Sequence, residues 1–82
     1  MTIKMTQQDV AEWIVDILVR ELELKPGDEV PFQRLKERYR ARKGDAGDIP
    51  VGLQYAGNQE WLTYDGAKDA WHLTDLGYEY AA

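Results

Sequence analysis

The C-terminal part of the sequence constrains the fold most, because it combines a hairpin signal with a helix start. Residues 62–64 and 70–73 are short apolar and aromatic segments, and the segment 65–69 between them begins with Asp-Gly. Asp-Gly between two extended segments is typical of a β-hairpin turn. Thr74 then precedes an acidic residue, which predicts a capped helix over residues 75–80. We therefore expect the chain to end in strand, turn, strand and helix.

The N-terminal part predicts a long first helix. Thr6 and Asp9 approximate a capping box that opens a helix over residues 7–24. Apolar residues recur along it at i, i+3, i+4 and i+7, and three more widen this stripe beyond one buried face: Val15, Val19 and Leu22. Two interpretations stay open. The chain itself covers both sides of the helix, or these three residues contact another protein or a second copy, giving a homodimer through the first helix.

A basic second helix is predicted after the turn Lys25-Pro26-Gly27-Asp28 and a brief extended link at residues 29–31. This helix covers residues 32–42. It and the next residue carry six of the ten cations in the chain: Arg34, Lys36, Arg38, Arg40, Arg42 and Lys43. The functional interpretation is a phosphate-contacting element. The alternative is a solvated helix whose cations pair with acidic residues elsewhere in the protein.

Residues 51–64 are compatible with two structures. Asp48 and Pro50 favour a helix start, although Gly52 and Gly57 each weaken a helix by about 1 kcal/mol relative to alanine. The same segment also alternates as two strands would, which would complete a meander with the final strand. The sequence thus predicts an α+β domain over residues 1–82, either with three helices, a hairpin and a short C-terminal helix, or with two helices packed on a three-stranded antiparallel meander.

The order of these elements, together with Leu73-Thr74-Asp75-Leu76-Gly77, resembles the winged helix-turn-helix family. The resemblance covers almost the whole chain and implies a winged-helix-like domain. It implies that residues 32–42 form the supporting helix, residues 48–61 the recognition helix and residues 65–69 the tip of the wing. It also implies DNA binding, with the recognition helix in the major groove.

The sequence departs from that pattern, since residues 48–61 contain no Lys or Arg. Their base-reading candidates are Gln54, Asn58 and Gln59. Phosphate contacts would have to come from the second helix, so docking would be atypical. The first functional hypothesis is a DNA-associated regulator of this kind. The second is a protein–protein interaction module on the same fold, such as an adaptor or a phage- or plasmid-type inhibitor of a host factor, with Tyr55 and Tyr64 as interface anchors.

Several other classes of function lack support in the sequence. There is no Cys and a single His, His72, so we expect no metal site, no cofactor and no enzymatic activity. No small-molecule substrate is indicated. No apolar run is long enough to span a bilayer, and we expect a cytoplasmic protein without a membrane partner. The net charge of -5 opposes loose binding to nucleic acid, which leaves the clustered cations to be explained.

Overall fold

The protein is represented by a computed structural model that describes residues 5–82. It has an α+β architecture in which helices pack on one three-stranded antiparallel sheet with strand order β1-β3-β2. A π-helical turn, Ile17–Glu21, continues the first helix, and a 3-10 turn, Ala46–Asp48, precedes the third. The elements are α1 (Gln7–Asp16), β1 (Glu29–Pro31), α2 (Phe32–Ala41), α3 (Ile49–Asn58), β2 (Leu62–Asp65), β3 (Ala70–Leu73) and α4 (Asp75–Ala81). This arrangement is consistent with a small winged-helix-like fold.

The ambiguous segment is helical, since α3 covers Ile49–Asn58. The strand interpretation of residues 51–55 is therefore wrong, and the third strand of the sheet is β1, which the sequence predicted only as an extended link. Close packing explains why the glycines do not prevent the helix. A Cβ on Gly52 would lie 2.4 Å from Val10 Cγ1, so glycine lets α3 approach α1 closely. Burial against α1 thus outweighs a weak intrinsic helix propensity.

The helix starts follow local capping chemistry, with one correction. Thr6 and Asp9 form the predicted capping box, each side chain accepting the other's backbone N–H at 3.1 Å. Before α3, however, the capping side chain is Asp45, which accepts the Gly47 N–H at 2.8 Å. Asp48 occupies the N-cap position of α3 without a side-chain capping bond. The helix α3 therefore begins where the sequence predicted, but the capping side chain is Asp45 and not Asp48.

The first helix ends earlier than predicted. The π-helical turn finishes at Glu21, and Glu23 then adopts a left-handed φ of 54°. The Leu24 N–H donates to the Leu18 carbonyl at 2.9 Å, which satisfies one of the last free carbonyls of the helix. The Pro-Gly turn follows, with Gly27 at a φ of 93°. The helix therefore stops before the turn that the sequence marked as its end.

The core is built around α1. Val10, Ile14 and Val15 of this helix are at most 1% exposed, and they pack with apolar residues of the other elements: Val30, Leu35, Tyr39, Ile49, Leu53, Leu62 and Leu73. The chain itself thus covers Val15, which leaves almost no exposed surface on this residue for a second copy. A homodimer through the first helix stays a prediction for the other two residues. Val19 and Leu22 are half-buried and pack against the same core.

The Leu-Thr-x-x-Gly segment joins the sheet to α4. The Thr74 hydroxyl accepts the Gly77 N–H at 3.1 Å and donates to the Trp61 carbonyl at 2.9 Å. Thr74 thus caps α4 as predicted. A Cβ on Gly77 would lie 2.3 Å from the Trp61 carbonyl oxygen, so only glycine fits there. This motif therefore has a packing role, which holds α4 against the connection between α3 and β2.

Candidate functional site

The most strongly charged feature is α2, whose cations flank its buried stripe, with Arg34 and Arg38 on one side and Lys36 and Arg40 on the other. This helix buries Leu35 and Tyr39, so its cations project away from the core. Within residues 5–82, five of these cations have no carboxylate within the 4.0 Å limit of an ion pair. We call them the basic surface: Arg34, Lys36, Arg38, Arg40 and Lys43. Of the alternative interpretation, the structure thus shows pairing with acidic residues at Arg42, and within residues 5–82 it shows none for these five.

Arg42 differs from its neighbours because it binds α1. Its Nη2 donates to Asp16 Oδ2 at 2.6 Å, its Nε donates to Glu21, and its guanidinium carbon lies 5.9 Å from the centre of the Trp13 ring. Partial burial alone would lower the pKa of Arg42, but the hydrogen bonds to both carboxylates raise it. The structure thus places Arg42 in an internal ion pair, which corrects the prediction that it contacts phosphate with the other five cations.

The π-helical turn explains how two acidic side chains reach one guanidinium. Asp16 and Glu21 are five residues apart, a spacing that places side chains on different sides of an α-helix. The turn closes hydrogen bonds between residues five apart, as in Leu22 N–H to Ile17 C=O at 2.9 Å. Residues with this spacing therefore lie above one another. Nothing in the apolar periodicity indicated the π-helical turn.

The predicted base-reading residues are accessible but lie in an acidic neighbourhood. Gln54 and Asn58 are exposed one turn apart on α3, and Gln59 is exposed at its C-cap. No cation lies on α3, and the segments flanking it carry Asp45, Asp48 and Glu60. The structure thus leaves all three amide side chains exposed, on or directly after a helix that carries no cation of its own.

An apolar groove runs between α3 and the hairpin. We call it the hairpin groove, and its lining residues are Phe32, Pro50, Leu53, Gln54, Tyr64, Asp69 and Trp71. The Tyr64 and Trp71 rings pair across the two strands with centroids 4.9 Å apart, and Tyr64 remains 52% exposed. The Tyr64 hydroxyl donates to Asp69 Oδ1 at 2.8 Å, and this hydrogen bond raises the pKa of Tyr64. The groove is therefore aromatic with a carboxylate at its rim.

Tyr55, the other predicted interface anchor, does not line this groove. It is half-buried, with its ring 5.8 Å from that of Trp61 in an edge-on contact. Trp61 in turn contacts Tyr80 at 4.2 Å between ring centres. Tyr55 and Tyr64 therefore belong to separate aromatic contacts, and only Tyr64 is exposed enough to anchor a partner.

The outer face of the sheet holds a carboxylate–histidine cluster that the sequence did not reveal. It consists of Glu29, Asp65 and His72, one from each strand. In the sheet register Glu29 lies opposite His72, and Asp65 lies on the same face diagonally across the hairpin. The hairpin pattern alone could have paired Asp65 with His72. Glu29 could be added only once β1 was known to be a strand beside β3.

Comparison with known proteins assigns no relationship. No family model matches the chain, and neither a curated protein nor a solved structure matches it. Across residues 5–82, no helix combines the length and the apolar character needed to cross a membrane. The function must therefore be argued from the basic surface, the hairpin groove and the cluster on the sheet.

Proposed function

We propose that this chain is a non-enzymatic, DNA-associated regulator of winged-helix type that docks through its second helix. The observation that carries the proposal is the basic surface, in which five cations on and beside one helix have no ion-pair partner among residues 5–82, although the chain has a net charge of -5. An acidic chain offers many carboxylates for such cations. Their separation from those carboxylates suits a polyanionic partner, and phosphates dominate the affinity of proteins for DNA.

Docking through α2, rather than through α3, follows from the distribution of charge. Asp48 and Glu60 flank α3, and the hairpin carries Asp65 and Asp69. Lys68, the cation of the hairpin, lies 3.8 Å from a Glu29 carboxylate oxygen. These carboxylates repel phosphates, so the backbone contacts that fix the register on DNA would come from the basic surface. The exposed amides of α3 would read bases only as a secondary contribution. A cytoplasmic location is part of the same proposal.

The test is fluorescence anisotropy with a mixed-sequence DNA duplex, starting at low salt. Each neutralised phosphate adds about 0.9 to the slope of log affinity against log salt, so full use of the basic surface predicts a slope of roughly -4 to -5. Arg38→Glu should lower the affinity several-fold and flatten that slope by about 1. Lys25→Glu is the matched control, because it makes the same charge change on an exposed residue outside α2. No binding at low salt, or equal losses in both variants, would refute the proposal.

The hairpin groove favours a second candidate, a protein–protein interaction module. Its aromatic lining and the Asp69 carboxylate suit a partner segment with an apolar side chain beside a Lys or Arg. This candidate predicts that Tyr64→Ala removes partner binding and leaves any DNA binding unchanged. The DNA-associated candidate predicts that Arg38→Glu weakens DNA binding and that Tyr64→Ala leaves the function of the protein unchanged.

A further inference from the structure

The carboxylate–histidine cluster has the spacing of a metal-binding site. His72 Nε2 lies 3.4 Å from Glu29 Oε2 and 3.7 Å from Asp65 Oδ2. One ligand atom from each of the three side chains lies within 4.8 Å of the other two. When nitrogen and oxygen ligands bind Zn²⁺ at about 2.0–2.1 Å in a tetrahedron, neighbouring ligand atoms are about 3.4 Å apart. The cluster therefore approaches this geometry with side chains alone, without movement of the sheet.

The orientation of His72 points to a cation at the same place. His72 Nδ1 lies 3.5 Å from the Gly27 carbonyl oxygen, which can only accept a hydrogen bond, so a proton on Nδ1 suits this contact. Nε2 is then the ring atom that faces the two carboxylates. A positive charge at this position would offset the negative charge of both carboxylates. A backbone carbonyl that holds the second ring nitrogen is also the usual support of a metal-bound histidine.

The sheet fixes this arrangement and leaves it open to solvent. The side chains of Glu29, Asp65 and His72 are 31–40% exposed, so an ion could enter from water. Lys68 Nζ lies 3.8 Å from the Glu29 oxygen that also faces His72, and the Lys68 side chain is 62% exposed. Lys68 is therefore a mobile competitor for one ligand of the site.

We propose that Glu29, Asp65 and His72 bind one Zn²⁺ ion, with a fourth position available to water. One imidazole with two carboxylates suits Zn²⁺, whereas Mg²⁺ and Ca²⁺ prefer all-oxygen surroundings with more ligands. The ion would tie the three strands together at the base of the hairpin. This proposal is independent of the DNA-associated function, because none of its residues lies on the basic surface.

The test is calorimetric titration of the full chain with ZnCl₂, repeated with MgCl₂, at a pH of about 7.5, where the ligands are available to metal. We expect saturable binding of one Zn²⁺, a rise in the melting temperature with Zn²⁺, and a movement of the His72 Nε2 resonance in ¹⁵N spectra. His72→Gln should weaken Zn²⁺ binding more than tenfold and abolish the rise. Lys68→Met should strengthen binding several-fold, because it removes the competing ammonium.

Two matched substitutions distinguish the loss of a metal ligand from the loss of a negative charge in the hairpin. Asp65→Asn should weaken Zn²⁺ binding more than tenfold, whereas Asp69→Asn makes the same charge change in the same hairpin and should leave binding unchanged. Binding weaker than about 1 mM would overturn the proposal. Equal affinity of the wild type and His72→Gln would also overturn it. In either case the cluster would be an ion pair in which a proton on His72 is the cation.

Discussion

The contacts of Arg42 allow the effect of removing its side chain to be estimated. The sequence grouped Arg42 with the phosphate-binding cations, whereas the structure places it in an internal ion pair. Arg42→Ala removes the hydrogen bonds to Asp16 and Glu21 and the contact with the Trp13 ring. Buried bonds to charged groups contribute about 1.5–3 kcal/mol each. Because the Arg42 side chain is 26% exposed, we take about 1 kcal/mol for each bond and about 0.5 for the ring contact. The free energy of unfolding should therefore fall by about 2–3 kcal/mol.

This loss is large for the size of the domain. At about 0.05–0.15 kcal/mol per residue, a chain of 82 residues has a stability of roughly 4–12 kcal/mol. Each kcal/mol shifts the melting temperature by about 4–8 °C. Urea denaturation followed by circular dichroism measures the change directly. Arg38→Ala is the control, because Arg38 lies on α2 and pairs with no carboxylate in the part of the chain that the structure describes. It should stay within about 0.5 kcal/mol of the wild type. Equal effects of the two substitutions would refute the assignment of Arg42 to the ion pair.

Further predictions concern close packing and a buried hydroxyl. Gly77→Ala should destabilise by about 2 kcal/mol or more, because its Cβ would meet the Trp61 carbonyl oxygen at 2.3 Å. Gly57→Ala, which has open space around the new methyl, should stabilise by about 0.5–1 kcal/mol, and denaturant titration of both variants tests the contrast. Tyr39→Phe should preserve or raise stability at neutral pH, since within residues 5–82 the buried hydroxyl has no hydrogen-bond partner. Burial, and then the charge of Asp48, raise the pKa of Tyr39, so the folded state favours the protonated hydroxyl. The stabilisation that this preference gives is complete below the ordinary tyrosine pKa of about 10, and it is lost as the pH rises through the higher folded pKa. Denaturation at alkaline pH should show a smaller loss for Tyr39→Phe than for the wild type.

The fold was predictable where the signals are local. The capping box at Thr6, the Asp-Gly turn of the hairpin and the cap at Thr74 each depend on residues a few positions apart, and the structure confirms all three. The strand β1 was missed because three residues carry no periodicity of their own. Its strand character comes from pairing with β3, some forty residues later in the chain. The π-helical turn was missed for a related reason, since Glu21 at its end and Asp16 before it both bind Arg42, which is distant in sequence.

The candidate surfaces were likewise predictable from local sequence signals and not from contacts between distant residues. Five of the six grouped cations lie on α2 or directly after it, as helical periodicity can indicate, and in the described part of the chain they form no ion pair. The sixth, Arg42, has its role set by Asp16, which is 26 residues away in sequence. The cluster at His72 depends on the register of three strands at once. Helical periodicity can therefore find a charged face, but it cannot find a site built across strands.

The position of Arg34 adds an argument that the basic surface serves a partner and not the fold. Arg34 lies in the first turn of α2, where the helix dipole favours acidic residues, and none is present there. It is also four residues from Arg38, and like charges at this spacing destabilise a helix by about 0.2–0.5 kcal/mol. Arg34 thus opposes the stability of its own helix in two ways, and Glu37, three residues on, offsets this only in part because it forms no ion pair with Arg34 within residues 5–82.

Arg34→Glu should therefore change stability and binding in opposite directions. The substitution places a carboxylate at the positive end of α2 and creates a favourable pair with Arg38, but it also adds repulsion from Glu37 three residues on. The free energy of unfolding should therefore rise by about 0.3–0.5 kcal/mol. If the basic surface contacts phosphates, the same substitution should weaken DNA binding and flatten its salt dependence. Denaturation and anisotropy on one protein preparation measure both effects. A loss of stability would show that Arg34 supports the fold, and the charge of α2 would then give no reason to expect DNA.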